Sequence, residues 1–182
     1  MILILGDSLS AGYGIDTEDS WVRALERRLG AEGYPHRVGN ASISGETSSG
    51  GRERLPVLLA RHRPALVIIE LGGNDGLRGI ALAELQANLT GMVERVKASG
   101  ARALLLSMEL PPNYGPAYLN RFRQVFVDVG AATQTGVAPF LLDGVALDNA
   151  LMQADGVHPR AEAASHMLDN VWPSLTPLLK PR

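Results

Sequence analysis

The chain has 182 residues, 46% hydrophobic and 20% charged, with a net charge of −2. This profile suits one globular domain, residues 1–182, with a sizeable core, and it leaves no basic surplus for a nucleic-acid backbone or an anionic membrane. Cysteine is absent, which excludes disulfides, thiolate catalysis and cysteine-type zinc sites and leaves the redox compartment open.

Taken in chain order, residues 1–5 (MILIL) read as a first strand. Five residues are too few for the apolar core of a signal peptide, and a start on a core strand suits a trimmed mature chain. Asp19 or Ser20 caps a helix through about residue 29 with Trp21, Leu25 and Leu29 on one stripe, and Gly33 closes that unit. Residues 37–38 are a weak second strand. A helix follows over 52–63, with Pro56 acceptable only near its start. Residues 65–71 (ALVIIEL) are a strong third strand, 82–99 a helix ended by Gly100, and 103–107 a fourth strand. A helix over 118–133, a fifth strand over 137–142 and a last helix over 160–179, kinked or broken at Pro173, complete the chain. No run approaches the roughly 18–20 apolar residues of a membrane span, so no stable membrane insertion is expected.

Continuous apolar runs of this length suit strands buried on both faces. Their alternation with helices predicts an α/β fold with about five mostly parallel strands. In such sheets ligands bind beyond the carboxyl ends of the strands. The polar and glycine-rich stretches all follow strands or precede the last helix: GDSLSAGYG, GNASISGETSSGG, GGNDG, MELPPNYG and ADGVHP. They therefore gather on one edge.

In ADGVHP, Asp155 and His158 lie three apart on a turn. A carboxylate there can bind the Nδ1–H of the imidazole and leave Nε2 free as a base. The alternative is a helix-capping Asp beside a surface histidine; a metal reading lacks a second ligand pair. Ser8 sits just past a buried strand at a helix start, where it is either an N-cap or a nucleophile whose own N–H is free for an oxyanion. Ser10 reads as a local cap or turn residue, and Asp7 as a residue that fixes the loop. Gly45 allows a positive φ that turns an N–H toward a ligand, or is an ordinary turn glycine. Asn74 can donate from its side chain to an oxyanion, or form an Asx turn, a capping part that suits Asp75. No phosphate-binding G-x-x-x-x-G-K-[ST] loop, dinucleotide G-x-G-x-x-G or G-x-S-x-G elbow is present.

Taken together, GDSLS, the SISGETS glycine, GGND and DGVHP, in that order, resemble the SGNH (GDSL) hydrolase family, in its bacterial thioesterase I/protease I/lysophospholipase and arylesterase group. The resemblance runs over the whole chain. It implies a flavodoxin-like three-layer α/β/α sandwich and a serine esterase acting on esters and thioesters, with Ser8, Asp155 and His158 as catalytic triad. The Ser8 N–H, the Gly45 N–H and the Asn74 side chain would form the oxyanion hole. No cofactor or metal is expected. Leu77, Ile80, Met108, Leu110 and Pro111 are candidates to line an acyl groove, or they pack on the domain itself. The partner is then a small acyl ester or thioester, and the chain is expected to be a monomer. The resemblance also implies export to the periplasm, with the cytoplasm left open. Two other readings stand beside this one: a carbohydrate deacetylase of the same family, and a non-enzymatic flavodoxin-like binding module.

Overall fold

The computed structural model describes residues 1–179. Five parallel strands form one sheet in the order β2-β1-β3-β4-β5, the flavodoxin-like winding. They are β1 (Ile2–Gly6), β2 (Val38–Asn40), β3 (Leu66–Glu70), β4 (Arg102–Leu106) and β5 (Gly136–Ala138). Every residue of β1 and β3 is buried, as continuous apolar runs require when helices cover both faces of a sheet.

The helices are α1 (Ser8–Ala11), α2 (Trp21–Ala31), α3 (Ser48–His62), α4 (Gly73–Leu77), α5 (Leu82–Ala98), α6 (Pro116–Thr133) and α7 (Ala164–Leu175). Helices α2 and α7 pack together on one face, and α3, α5 and α6 form a row on the other. The predicted three-layer α/β/α sandwich is therefore present. Trp21, Phe122 and Phe126 are its largest fully buried side chains. Helix α2 starts where the Ser20 side chain accepts from the Arg23 N–H, and α5 ends before Gly100, whose φ is 85°.

Several expected boundaries moved. Helix α3 begins at Ser48 rather than at residue 52, so Pro56 lies in its interior. The early start is held by Thr47, whose side chain accepts from the Gly50 N–H. It is also held from outside by Asp75, which accepts from the Ser48 N–H (2.8 Å) and hydroxyl (2.5 Å). Strand β2 covers Val38–Asn40 instead of 37–38. Strand β5 stops at Ala138 because Pro139 has no N–H to continue the ladder. Leu141 and Leu142, expected in that strand, reach the core from turns. The last predicted helix is three pieces: a 3₁₀ turn Ala161–Ala163, then α7 running through Pro173, then a 3₁₀ turn Thr176–Leu178. Among the described residues, no helix is long and apolar enough to cross a membrane.

Candidate active site

In a 2-1-3-4-5 sheet the winding reverses between β1 and β3, and the crevice opens beyond their carboxyl ends. Ser8 follows β1 and Asn74 follows β3, so both stand at this point.

Ser8 is the first residue of α1. Asp7 caps that short helix by accepting from the Leu9 N–H at 3.0 Å. The cap reading considered for Ser8 therefore falls to Asp7, and the Ser8 side chain is free for another task. Its hydroxyl lies 2.9 Å from His158 Nε2. On the far side of the ring, Nδ1 lies 2.7 Å from Asp155 Oδ2. The second carboxylate oxygen accepts from the backbone N–H of Val157 (2.9 Å) and of His158 (3.0 Å). The His158 N–H, the His158 ring and the Val157 N–H together lower the Asp155 pKa to about 2, so the group is ionised over the working pH range. An ionised Asp155 holds the proton on Nδ1 and leaves the Nε2 lone pair toward Ser8.

The loop carrying this pair is pinned by contacts at both of its ends. Met152 and Pro159 form an antiparallel bridge beneath it. Gln153 donates its side-chain amide to the Tyr13 carbonyl and to the Pro159 carbonyl, both at 2.8 Å. Gln153 thus ties the segment after Ser8 to the segment after His158. The Tyr13 ring lies against the His158 ring with centroids 4.4 Å apart. Nothing in the local spacing of Tyr13 announces its contacts; the one with Gln153 spans 140 residues of chain.

Asn74 lies on α4 and donates from its side chain to Asp7 Oδ2 at 3.0 Å. One amide hydrogen is spent there and the other is not. Asp7 fixes the loop, as expected, and burial raises its pKa against the opposing effect of the Leu9 and Asn74 donors. Gly45 has φ 80° in an exposed turn. Its carbonyl accepts from Arg78 Nη2 at 2.8 Å, and its N–H meets no protein acceptor among the described residues. The neighbouring Ile43 N–H donates to the Gly6 carbonyl at 3.0 Å, which docks this loop beside the end of β1.

Two polar residues act differently from expectation. Ser10 is neither a cap nor a turn residue: it is fully buried and donates to Glu70 Oε2 at 2.6 Å. Asp75 does not cap its own turn but the distant start of α3.

A groove of about 610 Å³ runs from Ser8 and His158 between α4, the 108–112 segment and the loop after β5. Leu77, Met108, Leu110 and Pro111 line it, whereas Ile80 is not among its lining residues. Met108 and Leu110 are buried, so they pack on the domain and form the groove wall at once. Leu110 also crowds a glycine: a Cβ at Gly76 would meet Leu110 Cδ1 at 2.5 Å. Among the described residues no group of three or more His, Asp or Glu is placed to hold a metal ion.

Residues 4–165 match the GDSL-like Lipase/Acylhydrolase family. The chain belongs to that family. It is 55% identical to Esterase TesA of Pseudomonas aeruginosa, over 98% of this chain and 89% of that protein. It is 39% identical to Thioesterase 1/protease 1/lysophospholipase L1 of Escherichia coli K12, over 98% of this chain and 84% of that protein. A crystal structure of a protein named TesA superposes with a TM-score of 0.96 at 55% identity, covering 98% and 99% of the two chains. Ser8, Gly45, Asn74 and His158 lie toward one edge of the sheet in this chain.

Proposed function

We propose that the chain is a serine esterase that hydrolyses carboxylic esters and thioesters through an acyl-enzyme on Ser8. The observation that carries this reading is the continuous relay from Ser8 Oγ through His158 to Asp155, with contacts of 2.9 and 2.7 Å. A serine hydroxyl is a weak nucleophile until a positioned base takes its proton.

In the first half-reaction His158 Nε2 takes the Ser8 proton as Oγ attacks the carbonyl carbon. The oxyanion is held by the Ser8 N–H at the start of α1, the Gly45 N–H and the second amide hydrogen of Asn74. The imidazolium, paired with ionised Asp155, then protonates the departing alcohol or thiolate. Water repeats the sequence on the acyl-enzyme and releases the acid. Asp155 orients and charge-balances the histidine without taking the proton itself. The apolar wall of Leu77, Met108, Leu110 and Pro111 suits an acyl chain entering beside Asn74. The names of the relatives (esterase, thioesterase, lysophospholipase) support the same bond classes. Residues 1–182 would act as one domain and as a monomer, the latter checked by size-exclusion chromatography with light scattering. Export to the periplasm rests on kinship alone and is checked by osmotic-shock fractionation.

The test is a serine-directed phosphonate followed by intact mass and peptide mapping, together with a substrate panel. The expected result is a single adduct on Ser8 and turnover of p-nitrophenyl esters and acyl thioesters. Acetylated sugars turned over in preference would instead favour a carbohydrate deacetylase. A chain that forms no adduct and binds a nucleotide or flavin would be a binding module.

A further inference from the structure

Glu70, the last residue of β3, is fully buried and belongs to none of the roles assigned above. It pairs with Gly6 across the β1–β3 ladder, and its side chain reaches over that glycine to the turn carrying Ser8. Oε2 accepts from the Asp7 N–H at 3.2 Å and from the Ser10 hydroxyl at 2.6 Å. The Ser10 oxygen in turn accepts from the Trp21 indole N–H at 3.3 Å. Oε1 is sealed from solvent without a hydrogen bond, and the carboxyl of Asp7, the residue whose backbone N–H holds Oε2, is the charge that bears on Glu70. The approach is so close that a Cβ on Gly6 would stand 2.5 Å from Oε2. The first glycine of GDSLS therefore leaves room both for Ser10, whose Cβ would stand 2.9 Å from the added carbon, and for Glu70, a residue 64 positions along the chain.

Two buried carboxyls on adjoining strand ends, one bound to the other's backbone N–H, cannot both remain ionised in a dry site. Glu70, with no solvent at all, is the one to hold the proton; burial first, and then the Asp7 charge, push its pKa well up. As a neutral acid it keeps the acceptor that the Asp7 N–H and Ser10 require without setting a second buried charge beside the Asp7 carboxylate. Asp7 passes the constraint on, because its Oδ2 holds the Asn74 amide.

We propose that Glu70 is a positioning residue for the oxyanion site: as a neutral acid it fixes the Asp7–Ser10 turn and, through the Asp7 carboxylate, the aim of the Asn74 amide. The proposal rests on the esterase reading above. Of the charged groups around it, from β1, α1, α4 and the His158 loop, Asp7 bears on Glu70 directly and His158 bears on Asp7. Ser10, Trp21 and Asn74 supply uncharged polar contacts.

The experiment compares Glu70→Gln, Glu70→Leu, Asn74→Ala and the Leu/Ala double variant on p-nitrophenyl butyrate, with thermal melts of each. Glutamine presents a carbonyl to the Asp7 N–H and Ser10 and carries no charge beside Asp7. It should keep kcat within about threefold of the parent. Glu70→Leu should lose about 50-fold or more in kcat with KM changed less than about twofold. In the Asn74→Ala background it should cost almost nothing further, because both changes remove one unit. The parent should lose kcat on an alkaline limb as Glu70 ionises against Asp7, and the Gln variant should lack that limb.

A Leu variant that turns over like the parent overturns the proposal. So does a Gln variant as poor as the Leu variant, or additive losses in the double variant. Should the Leu variant not fold, the pH profiles decide, and identical profiles for the parent and Glu70→Gln overturn the assignment. Phosphonate labelling separates the two levels: an unlabelled Ser8 in the parent sinks the esterase reading and this proposal with it. A labelled parent with an indifferent Leu variant sinks only the role of Glu70.

Discussion

Two carboxyl regions flank Ser8, and they are built on opposite principles. Asp155 sits on a turn with 41% of its side chain exposed and is surrounded by donors, two backbone N–H groups and the His158 ring. Its charge is stabilised and its pKa falls to about 2. Glu70 and Asp7 sit behind the strand ends, shielded from water, where burial outweighs the few donors present and both pKa values rise. In the proposed mechanism one region keeps a charge ready to balance an imidazolium. The other keeps a proton in a dry frame that sets geometry. The same chemical group serves either purpose, and its surroundings decide which.

Ser8→Ala gives the floor against which both regions are measured. Turnover of p-nitrophenyl butyrate should fall by about 10⁶, to the residual rate that binding and oxyanion donors supply. Wild-type turnover in that variant would remove the mechanism altogether. Asp155→Asn should cost about 10⁴ in kcat, since the imidazole loses both its tautomer and its charge partner. Asn74→Ala, at the end of the buried chain of contacts, should cost about 10²–10³, or about 3–4 kcal/mol. The order matters more than the values: a loss at Asn74 exceeding that at Asp155 would reverse the roles given to the two regions.

Thermal melts against pH test the same contrast with smaller effects. Asp155 has a folded pKa below its ordinary value of 3.8. Its contribution is present above that value and lost as pH falls toward 2. The melting-temperature gap between the parent and Asp155→Asn should therefore close between about pH 4 and pH 2. Glu70 has the opposite sign. Its folded pKa lies well above 4.5, so the native state binds the extra proton and stability declines as pH rises above that value. Glu70→Gln should lack this decline, and the same decline in both proteins would place the proton elsewhere. The smallest effect is expected at Glu109, which pairs with Arg123 at 2.7 Å on the groove rim with both side chains partly exposed. Glu109→Gln should change urea stability by less than about 1 kcal/mol.

The site was legible to different depths in its different residues. The Asp155–His158 spacing could be read as a carboxylate–imidazole turn because three residues of chain span the contact. Ser8 alone is ambiguous in the sequence; in the structure Asp7 takes the cap and the Ser8 hydroxyl meets His158. Ser10 was misread because its partners, Glu70 and Trp21, lie 60 and 11 residues away. The start of α3 was misplaced for the same reason, since part of its cap is Asp75, 27 residues downstream. Ile80 was grouped with Leu77 by proximity in sequence, yet only Leu77 lines the groove. Tyr13 and Gln153 gave no signal at all.

The sequence by itself determined the alternation of buried strands and amphipathic helices, and with it the layered sheet and the edge on which the motifs gather. Hydrophobic period and strand-to-helix alternation are local properties, and parallel winding then leaves few topologies open. Only the tertiary structure decided what each polar side chain does on that edge. A carboxyl group's protonation and a serine's partner depend on burial and on atoms brought from distant strands. Those distances exist only once the five strands are wound in the order β2-β1-β3-β4-β5.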